Sequence, residues 1–185
     1  MKDELKTNAS MDIFEAQISE MELQTAINNL KNKKSPGEDK IHPEFLKHAG
    51  TEARKTILLW FQKIWETGHV PSMWRKAIVI PILKAKKDPK YTTNYRPISL
   101  TSIMGKTMER IINNRLQWVL ETNRTINQEQ AGFRTHRSTS EHVVKLSQSI
   151  KDTLDKKQIL TAVFVDFQST YDKVCKENLL LKLAR

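Results

Sequence analysis

The chain is poor in the residues that fix a protein by covalent or metal cross-links. Its 185 residues include one cysteine, Cys175, so no disulfide can close within it and no disulfide-linked partner is expected. Without a second cysteine there is no Cys/His spacing suited to zinc. The five histidines, His42, His48, His69, His136 and His142, are scattered without an HxxxH pair. No apolar run approaches the length that spans a bilayer, and the N-terminus lacks the basic-then-apolar order of a signal peptide. The expectation is an intracellular chain, in cytoplasm or nucleus, that is neither secreted nor membrane-inserted. Lys2-Asp3-Glu4-Leu5 matches a retention signal in letters only, because that signal is read at a C-terminus.

Acidic residues are also in deficit. With 31 Lys+Arg against 21 Asp+Glu the formal charge is +10, which favours a polyanionic partner and makes nucleic acid the first candidate. A solvated basic surface explains the same count without any partner. The length suffices for one domain with a sizeable core, or for a lobe of something larger.

Residues 1–18 are polar and weakly patterned and read as a flexible lead-in. Ser19-Glu20-Met21-Glu22 is a capping box, and Leu23, Ala26, Ile27 and Leu30 follow at helical spacing until Lys33-Lys34-Ser35-Pro36-Gly37 stops the helix. Taken alone, the lysines there suit the negative end of a helix dipole. A second helix carries Ile57, Leu58, Phe61, Ile64 and Trp65 on one face, with Gly68 as its stop. Ala77 to Leu83 reads as a strand that Pro81 places near an edge or bulge, and the basic loop Lys84 to Lys90 leads to a second extended segment, Asn94 to Leu100. Helical spacing returns from Ser102 to Leu120, with Met104, Met108, Ile111 and Leu116 on one side and Lys106, Arg110 and Arg115 elsewhere. In Gln130-Ala131-Gly132-Phe133-Arg134, Gly132 would allow a close backbone approach, and Phe133 beside Arg134 and Arg137 offers a stacking face flanked by cations. Burial of the ring is equally compatible with the sequence. Thr139 or Ser140 then caps an amphipathic helix through Leu154, and a last leucine-rich helix starts at Lys176.

The most informative stretch is Thr161 to Val174, TAVFVDFQSTYDKV. Leu160 to Phe167 has the β-branched and aromatic alternation of a buried strand, yet carries a carboxylate, Asp166, near its end. Burying an isolated carboxylate costs several kcal/mol in order of magnitude, so Asp166 calls for a cation or good donors; a turn acceptor past the strand end is the other reading.

This stretch resembles the first catalytic motif of the reverse transcriptases of non-LTR (LINE-like) retrotransposons, with an aromatic, Tyr171, five residues after the aspartate. Three further stretches match in order: the Ser35-Pro36-Gly37 turn, Asn94-Tyr95-Arg96-Pro97-Ile98-Ser99-Leu100, and Gln130 to Arg134 followed by Arg137-Ser138-Thr139. Lys106 to Ile112, KTMERII, looks jockey-like. The resemblance implies an α+β fold comprising the fingers and first part of the palm of a right-hand polymerase, mostly helical with a few strands and incomplete as a domain. It divides the chain into the lead-in 1–18, a helical N-terminal extension over 19–76, fingers over 77–157 and a truncated start of the palm over 158–185.

By the same resemblance Asp166 is the catalytic residue and, with the backbone carbonyl of Phe167, a ligand for magnesium. Arg96 binds the triphosphate with Lys84 and Lys86, and Tyr171 excludes a 2′-hydroxyl. Arg134, Arg137, Lys33 and Lys34 contact nucleic acid. The implied partners are an RNA template, a DNA primer and deoxynucleoside triphosphates. The family's aromatic-x-Asp-Asp hairpin and its glycine-rich motif are absent before Arg185, so the chain is predicted to be inactive alone. Thr170 departs from the usual alanine, and His136 stands where glycine is common. Two other functions remain open: a basic RNA- or DNA-binding module without catalysis, and a poorly folded product of a degenerate element.

Overall fold

The computed structural model describes residues 12–167 and 170–183, apart from the side chains of Asp172 and Leu183. Most of the predicted lead-in, and Gln168 and Ser169 of the central motif, lie outside these residues. The chain divides after Gln128 into two compact units. Among the described residues it is about half helical with one two-stranded sheet, in keeping with the α+β expectation.

In the first unit, a helical turn at 12–15 precedes α1 (Glu20–Asn28). The capping box forms as predicted: the Ser19 hydroxyl accepts the Glu22 N–H at 3.3 Å, and the Glu22 carboxylate accepts the Ser19 N–H at 2.9 Å. A short helix, α2 (Pro43–Lys47), leads to α3 (Thr51–Thr67), which ends at Gly68 with φ +64°, a left-handed conformation that glycine adopts without a Cβ clash. After a 3₁₀ turn at Ser72–Arg75 come β1 (Ile78–Leu83), β2 (Tyr95–Leu100) and the long helix α4 (Ile103–Thr122).

The core is where the periodicity put it. Leu23, Ala26 and Ile27 of α1, Phe61 and Ile64 of α3, and Ile103, Met104, Met108 and Ile111 of α4 are all buried, with Ile18, Leu30 and Leu46 closing the cluster. Each large apolar side chain removed from water contributes about 1.5–3 kcal/mol, which makes this cluster the main stabiliser of the unit. Trp74 of the 3₁₀ turn packs edge-on to Phe61 at 5.9 Å and lies over Gly105 of α4.

One polar residue continues the apolar stripe of α4. Arg115, 4% exposed, donates to the carbonyls of Ile13, Ala16 and Gln17 and to both carboxylate oxygens of Glu22, the closest at 2.6 Å. Its guanidinium also lies 5.2 Å from the Trp65 ring centre. The guanidinium, aided by the Ser19 bonds and against partial burial, holds the Glu22 carboxyl down at about 2. Residues 12–18 are therefore anchored to α4, which corrects that part of the expected flexible lead-in. The correction arises because a buried guanidinium needs acceptors, and these carbonyls supply them.

Gly37 sits where its backbone meets the junction between β2 and α4: a Cβ there would lie 2.6 Å from the Ser102 nitrogen. The loop after α1 thus packs against the residue that caps α4, Ser102, whose hydroxyl accepts the Gly105 N–H.

The strands pair antiparallel, Ile78 opposite Leu100 through Leu83 opposite Tyr95. The Lys84 N–H donates to the Asn94 carbonyl at 2.8 Å, so counting back by twos makes 82/96 and 80/98 hydrogen-bonded pairs. Pro81 and Pro97, directly opposite one another, fall on a non-bonded pair, where neither missing N–H breaks the ladder. Arg96 shares a face with Ile82, Ile80 and Ile98.

The second unit contains α5 (Thr139–Asp155) and α6 (Lys176–Leu183). Ser138, rather than Thr139 or Ser140, occupies the N-cap position of α5, and its side chain makes no capping bond. Residues 158–167, predicted to include a buried strand, belong to no strand, and Val163, Phe164 and Val165 are 82%, 84% and 72% exposed. The alternation is present, but a strand exists only with a ladder partner, and the described residues provide none.

Candidate nucleotide and nucleic-acid site

Lys33, Lys34, Lys84, Lys86 and Arg96 lie in the first unit; Asp166, Phe167, Tyr171, Arg134 and Arg137 lie in the second.

On the hairpin, Arg96 is exposed and its side chain has no hydrogen-bond or ion-pair partner among the described residues. No loop carboxylate among the described residues pairs with it. Its backbone position on a hydrogen-bonded pair opposite Ile82 fixes the root of the side chain while the guanidinium stays open to solvent. Lys84 is differently placed, since its ammonium donates to the Thr93 carbonyl at 2.8 Å and helps close the loop. That loop is further stitched by Asn94 to the Asp88 carbonyl, Tyr95 to the Pro89 carbonyl, and the Lys90 N–H to the Asp88 carboxylate. Lys86 stands exposed at its tip with φ +58°.

After α1, Lys33 adopts φ +55° and its N–H donates to the Glu44 carboxylate, which this bond chiefly holds below the usual carboxylate range. Lys47 bonds the Asn32 side chain at 2.7 Å. Lys33 and Lys34, adjacent in sequence, part company: Lys34 lines a basic cleft against α4, whereas Lys33 does not.

In the second unit Asp166 is exposed, so the desolvation argument for a compensating cation does not hold for it here. The Phe167 carbonyl, the other candidate metal ligand, accepts the Thr170 hydroxyl at 2.8 Å. This bond depends on the residue that departs from the family's alanine. Tyr171 packs edge-to-face on Phe133, ring centres 6.4 Å apart and planes at 87°, with both rings largely exposed. Sequence reasoning considered Phe133 as a stacking face or a core residue and missed its contact with Tyr171; nothing in the residue pattern carries that signal.

Both candidate arginines in this unit have protein partners. Arg134 donates to the Gln130 carbonyl at 3.1 Å and Arg137 to the Glu141 carboxylate at 3.3 Å. The loop that carries them takes φ +61° at Phe133 and at His136, whereas a Cβ on Gly132 would meet nothing within 4 Å. The close approach expected at Gly132 is thus absent. The left-handed backbone that favours glycine falls instead at Phe133 and His136, and the resemblance makes glycine common at the second of these.

Among the described residues no three His, Cys, Asp or Glu side chains gather as a metal site. One carboxylate and one carbonyl are hard oxygen donors suited to magnesium, but too few to hold it. The donor set therefore does not fit a complete metal centre. No helix among the described residues is long and apolar enough to cross a membrane.

Comparison with known proteins meets these features from a separate direction. Residues 84–185 match the family described as reverse transcriptase (RNA-dependent DNA polymerase). The chain is 34% identical over 183 residues to a probable RNA-directed DNA polymerase from transposon BS of Drosophila melanogaster, covering 99% of this chain and 20% of that protein. It is 32% identical over 164 residues to the RNA-directed DNA polymerase from mobile element jockey of the same species, covering 89% of this chain and 18% of the relative. The jockey enzyme of Drosophila funebris matches at 32% over 180 residues, with 97% and 20% coverage. The chain thus spans about a fifth of the length of the curated relatives it matches. Motif order, the exposed arginine on its hairpin and these matches agree: the chain belongs to the reverse transcriptase (RNA-dependent DNA polymerase) family, with non-LTR mobile-element enzymes among its relatives.

Proposed function

We propose that the chain supplies the nucleotide-gripping fingers and the opening of the palm of a mobile-element RNA-directed DNA polymerase, working on an RNA template, a DNA primer and deoxynucleoside triphosphates inside the cell. The observation that carries this reading is Arg96, an unpaired guanidinium rooted in a paired strand. An incoming triphosphate brings about four negative charges, and phosphoryl transfer is catalysed largely by neutralising and positioning them. A planar guanidinium holds phosphate oxygens in bidentate fashion, which a lysine cannot do, and Lys86 adds a mobile cation at the loop tip. Lys84, occupied with Thr93, acts by shaping that loop. Tyr171, braced by Phe133, selects against a 2′-hydroxyl. In the complete enzyme Asp166 and the Phe167 carbonyl would supply part of the ligand set of a divalent cation, and Arg134, Arg137, Lys33 and Lys34 would touch the strands.

The test is direct. Titrating the full chain with a fluorescent deoxynucleoside triphosphate should give binding that Arg96→Ala weakens about tenfold or more, the scale of a charge-assisted hydrogen-bonded contact of roughly 1.5–3 kcal/mol. Unchanged affinity in the variant would sink the clamp. A primer-extension assay with the chain alone should yield no incorporation. The net charge of +10 favours a second reading, a non-catalytic nucleic-acid-binding module, which predicts strand binding without nucleotide affinity.

A further inference from the structure

A cleft of about 430 Å³ opens between the end of α1 and the first turns of α4. Lys31 and Lys34 reach it from the chain leaving α1, and Lys106 and Arg110 from α4. The two α4 residues are four apart and so lie on one helix face. Among the described residues that line it, Glu109 is the only acid, so four cations converge against one carboxylate. The side chains of Lys31, Lys34 and Lys106 have no hydrogen-bond or ion-pair partner among the described residues. Arg110 donates to the Asn29 carbonyl at 2.6 Å, which pins its guanidinium at the rim and leaves its other donors available.

The arrangement is rigid from behind. Leu30 and Ile103, at 6% and 2% exposure, belong to the core, and the wall formed by α4 begins directly after Ser102, the residue against which Gly37 packs. Converging like charges repel unless an anion joins them, so a fixed scaffold that holds them together presents a standing anion site. The cations occupy both walls of an open cleft, which suits successive phosphates along a strand better than one point charge. Its volume falls in the range of a small-ligand site, about 300–1,000 Å³, sufficient for a nucleotide of a single strand.

We infer that this cleft binds the phosphate backbone of single-stranded nucleic acid, with Lys31, Lys34, Lys106 and Arg110 as its contacts. The inference rests on the nucleic-acid partner proposed above but requires neither catalysis nor the Arg96 clamp. To Lys34 it adds Lys31 and two residues of α4 that the sequence showed only as lying off the apolar stripe, while Lys33 lies outside the cleft.

Fluorescence anisotropy of a labelled oligouridylate, titrated with the full chain over a range of salt, tests it. Each phosphate contact on a single strand contributes about 0.7 to the slope of log affinity against log salt. The triple variant Lys31→Gln, Lys34→Gln, Lys106→Gln should therefore lower the slope by about 2, and weaken binding at low salt by roughly tenfold or more. The matched triple Lys55→Gln, Lys63→Gln, Lys76→Gln, which removes the same charge elsewhere in the unit, should change the slope far less. Arginine at 31, 34 and 106 should restore it, and a thermal melt of each variant separates lost contacts from lost folding. Equal losses in the two glutamine triples, no loss in the cleft triple, or a duplex that competes as well as the single strand would each overturn the assignment. Since the readout is strand binding, failure of the nucleotide clamp would leave it standing.

Discussion

Helices α4 and α5 are both long and amphipathic, yet their apolar stripes meet opposite fates. Met104, Met108 and Ile111 of α4 are buried against α1 and α3, whereas Val143, Ile150 and Leu154 of α5 are 62%, 41% and 67% exposed. The same contrast holds for the units: the first has a continuous core, while Ala131 is the one buried hydrophobic among the described residues of the second. Helical spacing tells which face wants cover, but only another element of matching shape provides it.

Substitutions should separate the units in the same order of size. Phe61→Ala, at a fully buried ring, should cost about 3–5 kcal/mol and lower the melting temperature and amide protection of the first unit. A comparable loss of protection at α5 would break the contrast. Next is the Arg115 anchor. Glu22 titrates at about 2 when folded against an ordinary 4.5, so its contribution is fully present above about pH 4.5 and is lost as pH falls towards 2. Glu22→Gln should remove of order 2 kcal/mol near neutral pH and flatten the acid limb of a stability profile measured by denaturant melts.

Smaller effects belong to the second unit. His136→Gly relieves a left-handed backbone and should stabilise by about 1 kcal/mol, visible as slower proteolysis of the 131–137 loop. Destabilisation would mean that the imidazole is the more important feature there. Thr170→Ala should shift the carbonyl resonance of Phe167, with less than about 1 kcal/mol lost, because the bond it removes is exposed.

Much of the first unit was legible in the sequence because its signals are local. The capping box at Ser19, the stop at Gly68 and the spacing through Phe61 and Met108 each depend on a few neighbouring residues. Leu160 to Phe167 was misread as a strand because pairing is a long-range condition that alternation cannot supply. The site divides in the same way. Motif order singles out Arg96 and Asp166 as candidates, but the partners of Arg134, Arg137 and Lys84 come from tertiary neighbours and left no trace in the pattern. Lys106 and Arg110 did leave one, their four-residue spacing, which acquires meaning only once the end of α1 lies beside them.

The facing prolines of the hairpin have one more effect. Residues on a non-bonded pair direct their amide groups outward, so Pro81 and Pro97 each leave a gap in the open margin of their strand. Ile78, Val79, Ile80 and Ile82 are exposed and β-prone, a composition that invites stray chains to stack on and grow a fibril. An incoming strand would find a donor missing midway along either side, so the paired rings guard the hairpin against aggregation without disturbing its own ladder.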